Sequence, residues 1–111
     1  MTITVKVLIP AKIAEATQTT QYTANGVTTI IDKFTATNYS GTAATISVNL
    51  VTSADTAGNQ NLITKTKTLQ PSEVYTFPEL VGQVLSAGAF ISTIAGTASA
   101  INIRASGREV S

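Results

Sequence analysis

Apolar and polar residues alternate along most of the chain, and this pattern predicts short β-strands. In residues 2–8, TITVKVL, aliphatic side chains occupy every second position between threonines and a lysine. Residues 44–51, ATISVNLV, repeat the arrangement with isoleucine, valine and leucine on one side. A repeat of two residues is typical of a strand that turns one face towards a core.

Turn signals divide these strands and predict hairpins. Asn25 and Gly26 form the dipeptide most typical of a tight hairpin, because both residue types tolerate positive φ. Residues 38–41, NYSG, have the composition of a second turn, so residues 34–51 are expected to form a hairpin with one dry and one wet face. Residues 89–106 are expected to supply a final pair of strands.

One acidic residue breaks the alternation of the longest predicted strand, residues 27–39. Taking Phe34 inward also places Asp32 on the inner side, where an unpaired charge is costly. A β-bulge near Ile31–Asp32 would shift the phase by one residue and turn the carboxylate outward. There we expect it to pair with Lys33 or with a lysine on a neighbouring strand.

The first 24 residues are separable by pattern from the hairpins that follow. Pro10 is expected to end the first strand, and residues 11–16 have room for one helical turn. The strand-forming residues of this segment have no evident partner, so we expect residues 1–24 to form an extended N-terminal arm. Such an arm can add a strand to the sheet of a neighbouring subunit. Residues 25–111 are then the β-sandwich domain.

The spacing of strands and turns predicts the fold class. About seven or eight short strands, with a turn about every ten residues, are typical of an all-β antiparallel sandwich, Ig-like or jelly-roll-like. The chain has 111 residues, a common length for one domain. Its many threonines suit a pleated, half-wet surface.

Low charge limits the kinds of partner that the surface can attract. Charged residues make up 12% of the chain, against an average of about 25%, and the formal net charge is +1. The basic residues are scattered, so we predict no nucleic-acid binding. No apolar run is long enough to span a membrane or to form a signal-peptide core, which predicts a soluble protein without a membrane partner. Low charge also gives little protection against self-association.

Composition removes most kinds of catalytic site. The chain has neither histidine nor cysteine, so thiol nucleophiles, Ser–His triads and the usual zinc sites cannot form. The six carboxylates lie in different predicted elements. Residues 53–59, SADTAGN, lack the alternating acids of a calcium loop. We predict no catalytic, cofactor-binding or metal-binding residue, and no enzyme.

Contact surfaces are the remaining candidates for function. They come from the arm, from the lysines of the predicted edge strand 62–69, and from the apolar segment 79–96. Core packing is the competing interpretation of that last segment. The candidate interface residues are Ile3, Val5, Val7, Ile9, Ile13, Tyr22, Lys65, Lys67, Leu80 and Val84.

Several segments, taken in order, resemble a group of small proteins found among the virion genes of tailed bacteriophages. They are residues 9–24, the F-x-A-x-N strand at 34–38, the L-x-P-x-E-x-Y turn at 69–75, the L-x-A-G-x-x-I segment at 85–91 and the closing INIRASGREV at 101–110. The resemblance covers nearly the whole chain. Ser72 departs from it, because that group usually has glycine in the turn before the glutamate.

The resemblance implies a structural role without chemistry. Such a protein would be a capsid cement or decoration protein that grips the lattice of the major capsid protein and bridges capsomers after shell expansion. It would be a homo-oligomer, a dimer or trimer, on the capsid surface of a virion after synthesis in the host cytoplasm. No cofactor is implied.

Two other functions remain open on the sequence. One is a structural component of the tail or of the head–tail connector, which would form a closed ring. The other is a carbohydrate-binding accessory module, for which Tyr39 is the candidate sugar platform.

Overall fold

Nine strands form two antiparallel sheets, and a computed structural model describes all 111 residues. The all-β sandwich predicted from the sequence is confirmed. Asn59–Asn61 form a single 3-10 turn, the only helical element. The strands are β1 (Ile3–Ile13), β2 (Thr19–Thr23), β3 (Thr28–Asn38), β4 (Ala44–Val51), β5 (Leu62–Leu69), β6 (Val74–Tyr75), β7 (Val84–Leu85), β8 (Phe90–Ala95) and β9 (Ile101–Val110).

The two sheets take their strands from distant parts of the chain. The first sheet has the order β1-β9-β3-β6, with β7 also paired to β3. The second sheet has the order β2-β8-β4-β5. Every ladder in both sheets is antiparallel.

The core lies between the inner faces of the two sheets. Phe34 and Ile103 point into it from the first sheet, and Ile46 and Ile91 from the second, all four fully buried. Phe77 joins them from the loop after β6, with its ring centroid 4.7 Å from that of Phe34 in an edge-to-face arrangement. The alternation therefore identified the inward face of β4 and that of β3 from Phe34 onwards, whereas Ile30, which has the same parity as Phe34, lies on the outer face before the bulge.

The predicted hairpins are wrong. β3 and β4 lie in different sheets, as do β8 and β9, and the strands on either side of Asn25–Gly26 are also split between the sheets. Their apolar faces bury each other across the sandwich instead of lying side by side. The Asn38 side-chain amide donates to the backbone oxygens of Thr42 and Leu69, at 2.8 and 2.9 Å, and so holds the arch that carries the chain across.

β1 continues through Pro10, so the predicted strand end and helical turn are both wrong. β1 is an edge strand, and a proline there needs no ladder partner on the solvent side. The register with β9 shifts between Val7 and Ile9, and again between Ile9 and Lys12, which accommodates the proline.

Residues 1–24 do not project from the domain as a separate arm. β1 pairs with β9 from Ile3 to Ile13, and β2 pairs with β8, so the segment contributes one strand to each sheet of its own chain. The expectation of a detached arm is therefore corrected. Pairing with a neighbouring subunit stays a prediction, because one edge of β1 carries no strand.

The predicted bulge at Ile31–Asp32 is confirmed. The register of β3 with β9 shifts between Ile31 and Lys33, and Asp32 turns to the outer side of the first sheet. Its partner is Arg108 rather than a lysine. The cross-strand neighbour could not be named before β9 was known to lie beside β3.

The turn before β6 is of a kind that favours glycine, although Ser72 occupies it. Ser72 has φ 67°, the left-handed conformation that glycine adopts without strain. The Ser72 N–H donates to the Asn38 carbonyl oxygen at 2.8 Å, and the Gln70 N–H donates to the Glu73 carboxylate at 2.7 Å. Two hydrogen bonds thus hold a turn in which serine replaces the residue type best suited to it.

Candidate interaction surface

Aliphatic side chains collect at one end of the outer face of the first sheet. The pairing registers place Val5, Arg108, Ile30 and Val84 in one row across four strands. Val5 is 83% exposed and Val84 is 57% exposed. We call this surface the outer apolar patch; it consists of Ile3, Val5, Val7, Ile30, Val84 and Val110.

One ion pair crosses the outer apolar patch. The Arg108 guanidinium donates from Nε and Nη2 to the Asp32 carboxylate, at 3.0 and 2.9 Å. Hydrogen bonds to Asp32 raise the pKa of Arg108. Both side chains are more than 40% exposed, so the pair contributes little to stability. The pair places two opposite charges, which neutralise each other, within an otherwise aliphatic surface.

Four of the predicted interface residues lie together in this patch. Ile3, Val5 and Val7 alternate along β1, and Val84 lies on the far side of the same sheet. The sequence placed Val84 in the apolar segment 79–96 without showing that it shares a row of the sheet with Val5 of β1. The structure joins them because β9 and β3 lie between.

Three of the predicted interface residues are buried in the sandwich, so their assignment is wrong. Ile9 and Leu80 have no exposed surface, and Tyr22 is 9% exposed. Ile9 turns inward because the bulge after Val7 shifts the phase of β1. Leu80 packs into the core from the loop between β6 and β7.

The remaining predicted interface residues lie apart from the patch. Ile13 is exposed at the opposite end of β1, in the same row as Val74. Lys65 and Lys67 lie on β5, which is the edge of the second sheet as the sequence predicted. The Lys67 ammonium stands 4.7 Å from the centre of the Tyr75 ring.

Sequence reasoning missed the part of the patch that β3 and β9 supply, and it missed Val81 beside the patch. Val110 and Arg108 lie near the end of the chain, where alternation continues from Ile101. That alternation was a usable signal for a longer last strand. Val81, which is exposed beside Asp32, carried no comparable signal because it lies in an irregular loop.

Tyr22 joins the two sheets through a carboxylate. Its hydroxyl donates to Glu109 on β9 and lies 2.6 Å from the hydroxyl of Thr29 on β3. Because a hydroxyl has one hydrogen, Thr29 donates to Tyr22 in this arrangement. Lys6 Nζ approaches both carboxylate oxygens of Glu109, at 3.4 Å from Oε1 and 3.3 Å from Oε2, the oxygen that accepts from Tyr22. The cluster closes one end of the sandwich.

A second cluster, again made of a tyrosine, a threonine and a glutamate, joins the two sheets at the edge formed by β5 and β6. Tyr75 donates to Oε1 of Glu79 at 2.6 Å, and Thr64 of β5 donates to Oε2. Burial alone would raise the pKa of Glu79, but the hydrogen bonds from Thr64 and Tyr75 outweigh it and lower that pKa. Glu79 thus stays ionised and accepts from both sheets.

In both clusters the pKa values of the tyrosine and the glutamate are shifted away from neutral pH. Burial and the hydrogen bond to Glu109 raise the pKa of Tyr22 to about 12. The hydrogen bond to Glu79, followed by burial, raises the pKa of Tyr75 to about 12. The hydrogen bond from Tyr22 lowers the pKa of Glu109. General acid–base catalysis needs the opposite, a group that titrates near the working pH.

The outer face of the second sheet is covered at the middle of β4, so the predicted wet face is wrong there, while Thr45 of the same face is only half-buried. Ser47 and Asn49 are buried under Gln18 and the loop 52–61. The Asn49 amide donates to Asn61 Oδ1 at 2.8 Å and to the Gly58 carbonyl oxygen at 3.0 Å. No buried side-chain polar atom lacks a hydrogen-bond partner.

Comparison of the chain with protein-family models, with curated proteins and with solved structures gives no match. No helix has the length and apolar character needed to cross a membrane. The carboxylates do not gather in groups of three.

The tyrosine clusters predict a loss of stability at high pH. A pKa of about 12 in the folded chain, against the ordinary tyrosine value of 10, means that the unfolded chain releases the tyrosine protons first. The stabilisation is complete below pH 10 and is lost as the pH rises towards 12, by up to about 1.4 kcal/mol per pH unit for buried Tyr22. Urea unfolding at intervals between pH 8 and pH 11.5, a range set by those two pKa values, measures it.

Tyr22→Phe should make the alkaline slope of the free energy of unfolding shallower. Tyr39→Phe is the matched control, since Tyr39 is 52% exposed and lies outside both clusters. An equal slope in wild type and Tyr22→Phe would show that the Tyr22–Glu109 bond does not stabilise the fold.

Proposed function

We propose that this protein is a non-enzymatic structural protein of a tailed-bacteriophage virion. In this role it is a capsid cement or decoration protein, which attaches to the lattice of the major capsid protein and stabilises the head. The outer apolar patch is the attachment surface. The observation that carries the proposal is the concentration of exposed aliphatic side chains at one end of the outer face of the first sheet.

The patch suits attachment to another protein. Apolar surface that is contiguous and rimmed by polar residues is typical of protein–protein contacts. Here the rim contains Lys33 and Arg104, and the Arg108–Asp32 pair supplies a planar hydrogen-bonding group inside the patch. Arginine is enriched in such interfaces.

The phage-specific part of the proposal is supported by the ordered motifs in the sequence. They include the turn at 69–75, whose Glu73 and Ser72 are held as described above. The low charge of the chain also favours contact by shape over capture of a charged ligand. On a repeating lattice, many weak contacts of this kind add up to firm retention.

Composition of the particle tests the location. Virions assembled from the genome that encodes this chain are purified, and the copy number of the chain is measured by quantitative mass spectrometry. A decoration protein is expected at a copy number that follows the capsid lattice. Six or twelve copies would point instead to a tail or connector ring, and absence from the particle would refute a virion role.

A second experiment tests the attachment surface. Val84→Lys places a charge in the outer apolar patch, and we expect it to reduce co-sedimentation of the purified protein with undecorated shells. Val74→Lys is the matched control, because Val74 is 55% exposed on the same sheet face but outside the patch. Equal binding of both variants would exclude the patch as the attachment surface.

A further inference from the structure

The sandwich has four sheet edges, and three of them are blunted against pairing. β6 and β7 contribute only two residues each. β2 is five residues long and has a register shift. β5 carries Lys65 and Lys67 on either side of a register shift. Short strands, bulges and edge lysines are the devices by which proteins prevent edge-to-edge association.

The fourth edge, β1, is protected in one half only. Pro10 and both register shifts fall between Val7 and Lys12. Residues 3–7 are regular, and every residue from Met1 to Val7 is exposed. This half of β1 is a regular, fully exposed and partly apolar edge strand, the kind that pairs with another strand.

The hydrogen bonds of β1 show which backbone groups face the open edge. Thr2 and Ser111 exchange two backbone hydrogen bonds at 2.9 Å, so they form a hydrogen-bonded pair in the ladder with β9. Such pairs alternate in an antiparallel ladder. The N–H and C=O groups of Ile3, Val5 and Val7 therefore point away from β9, towards the open edge.

We propose that two copies of this chain associate by antiparallel pairing of residues 3–7 of β1, with Val5 opposite Val5 on a two-fold axis. The first sheets of the two copies then form one continuous sheet. Ile3 of one copy lies opposite Val7 of its partner, and each of these pairs exchanges two backbone hydrogen bonds. The aliphatic side chains of both copies meet on the outer face.

Charge and side-chain type select this register among its neighbours. A two-fold axis at Lys6 would place two ammonium groups directly opposite each other, which is destabilising. The axis at Val5 places Lys6 opposite Thr4, so like charges are kept apart. It also pairs all three free backbone positions, whereas an axis at Thr4 leaves Val7 outside the Ile3–Val5 pairs.

The choice of a second copy as the occupant rests on this self-complementarity. The segment ITVKV presents aliphatic residues at its first, third and fifth positions, so its reversed copy matches it. The two outer apolar patches become continuous across the new ladder. The inference does not depend on attachment to a capsid, because it concerns the isolated protein.

Disulfide trapping tests the register, since the natural chain has no cysteine. In the proposed pairing, Thr4 faces Lys6 of the partner in a non-hydrogen-bonded pair, with Cα atoms about 4.5 Å apart. That spacing permits a disulfide. T4C and K6C, mixed under mild oxidation with one variant isotopically labelled, should give a cross-linked heterodimer by mass spectrometry.

Each variant alone is the control for the other. The axis at Val5 keeps T4C more than about 7 Å from its own copy, and K6C likewise, so neither should cross-link alone. Efficient cross-linking of T4C alone would move the axis to Thr4, and that of K6C alone would move it to Lys6. Either result, or no heterodimer, would overturn the proposed pairing.

Sedimentation equilibrium of the full chain tests the association itself. The wild type should be a dimer, and V5K should raise the dimer dissociation constant roughly tenfold or more by placing two charges at the axis. V84K, with the same change on the same face but away from β1, should leave it unchanged. A monomeric wild type, a trimer, or equal weakening by both variants would refute the dimer. Circular dichroism and thermal unfolding confirm that each variant folds.

The experiments can refute the proposed dimer and the proposed function independently of each other. Loss of shell binding in V84K with an intact dimer concerns attachment only. A monomeric wild type that still binds shells would remove the dimer and leave the attachment in place.

Discussion

Phe34→Ala should lower the free energy of unfolding by about 3–5 kcal/mol, the largest single effect expected for this chain. Phe34 is fully buried at the centre of β3, and its ring lies edge-to-face against Phe77. Tyr75 packs on the other side of Phe77, with ring centroids 4.6 Å apart. Truncation removes the contact between β3 and the Phe77 ring and leaves a cavity.

Denaturant unfolding followed by circular dichroism measures the loss. Domains of this size have a total stability of about 5–15 kcal/mol, so Phe34→Ala takes away a large part of it. Tyr39→Ala is the control, because Tyr39 is an exposed aromatic residue in the arch after β3, and its removal should change stability by about 0.5 kcal/mol or less. A similarly small change in Phe34→Ala would mean that the core repacks around the gap.

The inward residues of the sandwich could be predicted from the sequence, because alternation depends only on which face of a strand meets the core. Phe34, Ile46, Val48 and Ile103 all follow from this rule. The bulge at Asp32 followed as well, since a charge on the inner parity has few other solutions. These features are local, and local chemistry decides them.

The pairing of strands could not be predicted, because alternation shows which face of a strand is buried but not which strand lies beside it. A strand whose apolar face turns inward is satisfied equally by a neighbour in its own sheet and by one across the core. The NYSG segment has turn composition in both cases, and here it forms an arch held by Asn38. Hairpin prediction failed at every point where the chain crosses between sheets.

The outer apolar patch shows the same limit at the level of function. Ile3, Val5 and Val7 were recognisable as interface candidates because they alternate in a segment that had no evident strand partner in the sequence. Their neighbours Ile30, Val84 and Val110 come from three other strands, and only the register of β9 between β1 and β3 brings them together. A surface assembled from four strands has no signature in any one of them.

Gly107→Ala should destabilise the fold by about 3 kcal/mol and disturb the patch at the same time. Gly107 lies in β9 between Lys6 of β1 and Ile31 of β3, next to the bulge. A Cβ at this position would overlap the Ile30 carbonyl oxygen and lie 3.0 Å from Leu8 Cδ1. A backbone oxygen cannot rotate away, so β9 and β3 must separate.

That separation should reach the surface, because Arg108 and Ile30 face each other one residue further along. We expect Gly107→Ala to lower both the thermal midpoint and the binding to shells. Gly41→Ala is the matched control, since no atom lies within 4 Å of the added Cβ and Gly41 is not in the left-handed region. If Gly107→Ala were as stable as Gly41→Ala, the close approach of β9 to β3 would be absent. The row that joins Val5 to Val84 would then lose its geometric basis, and with it the proposed attachment surface.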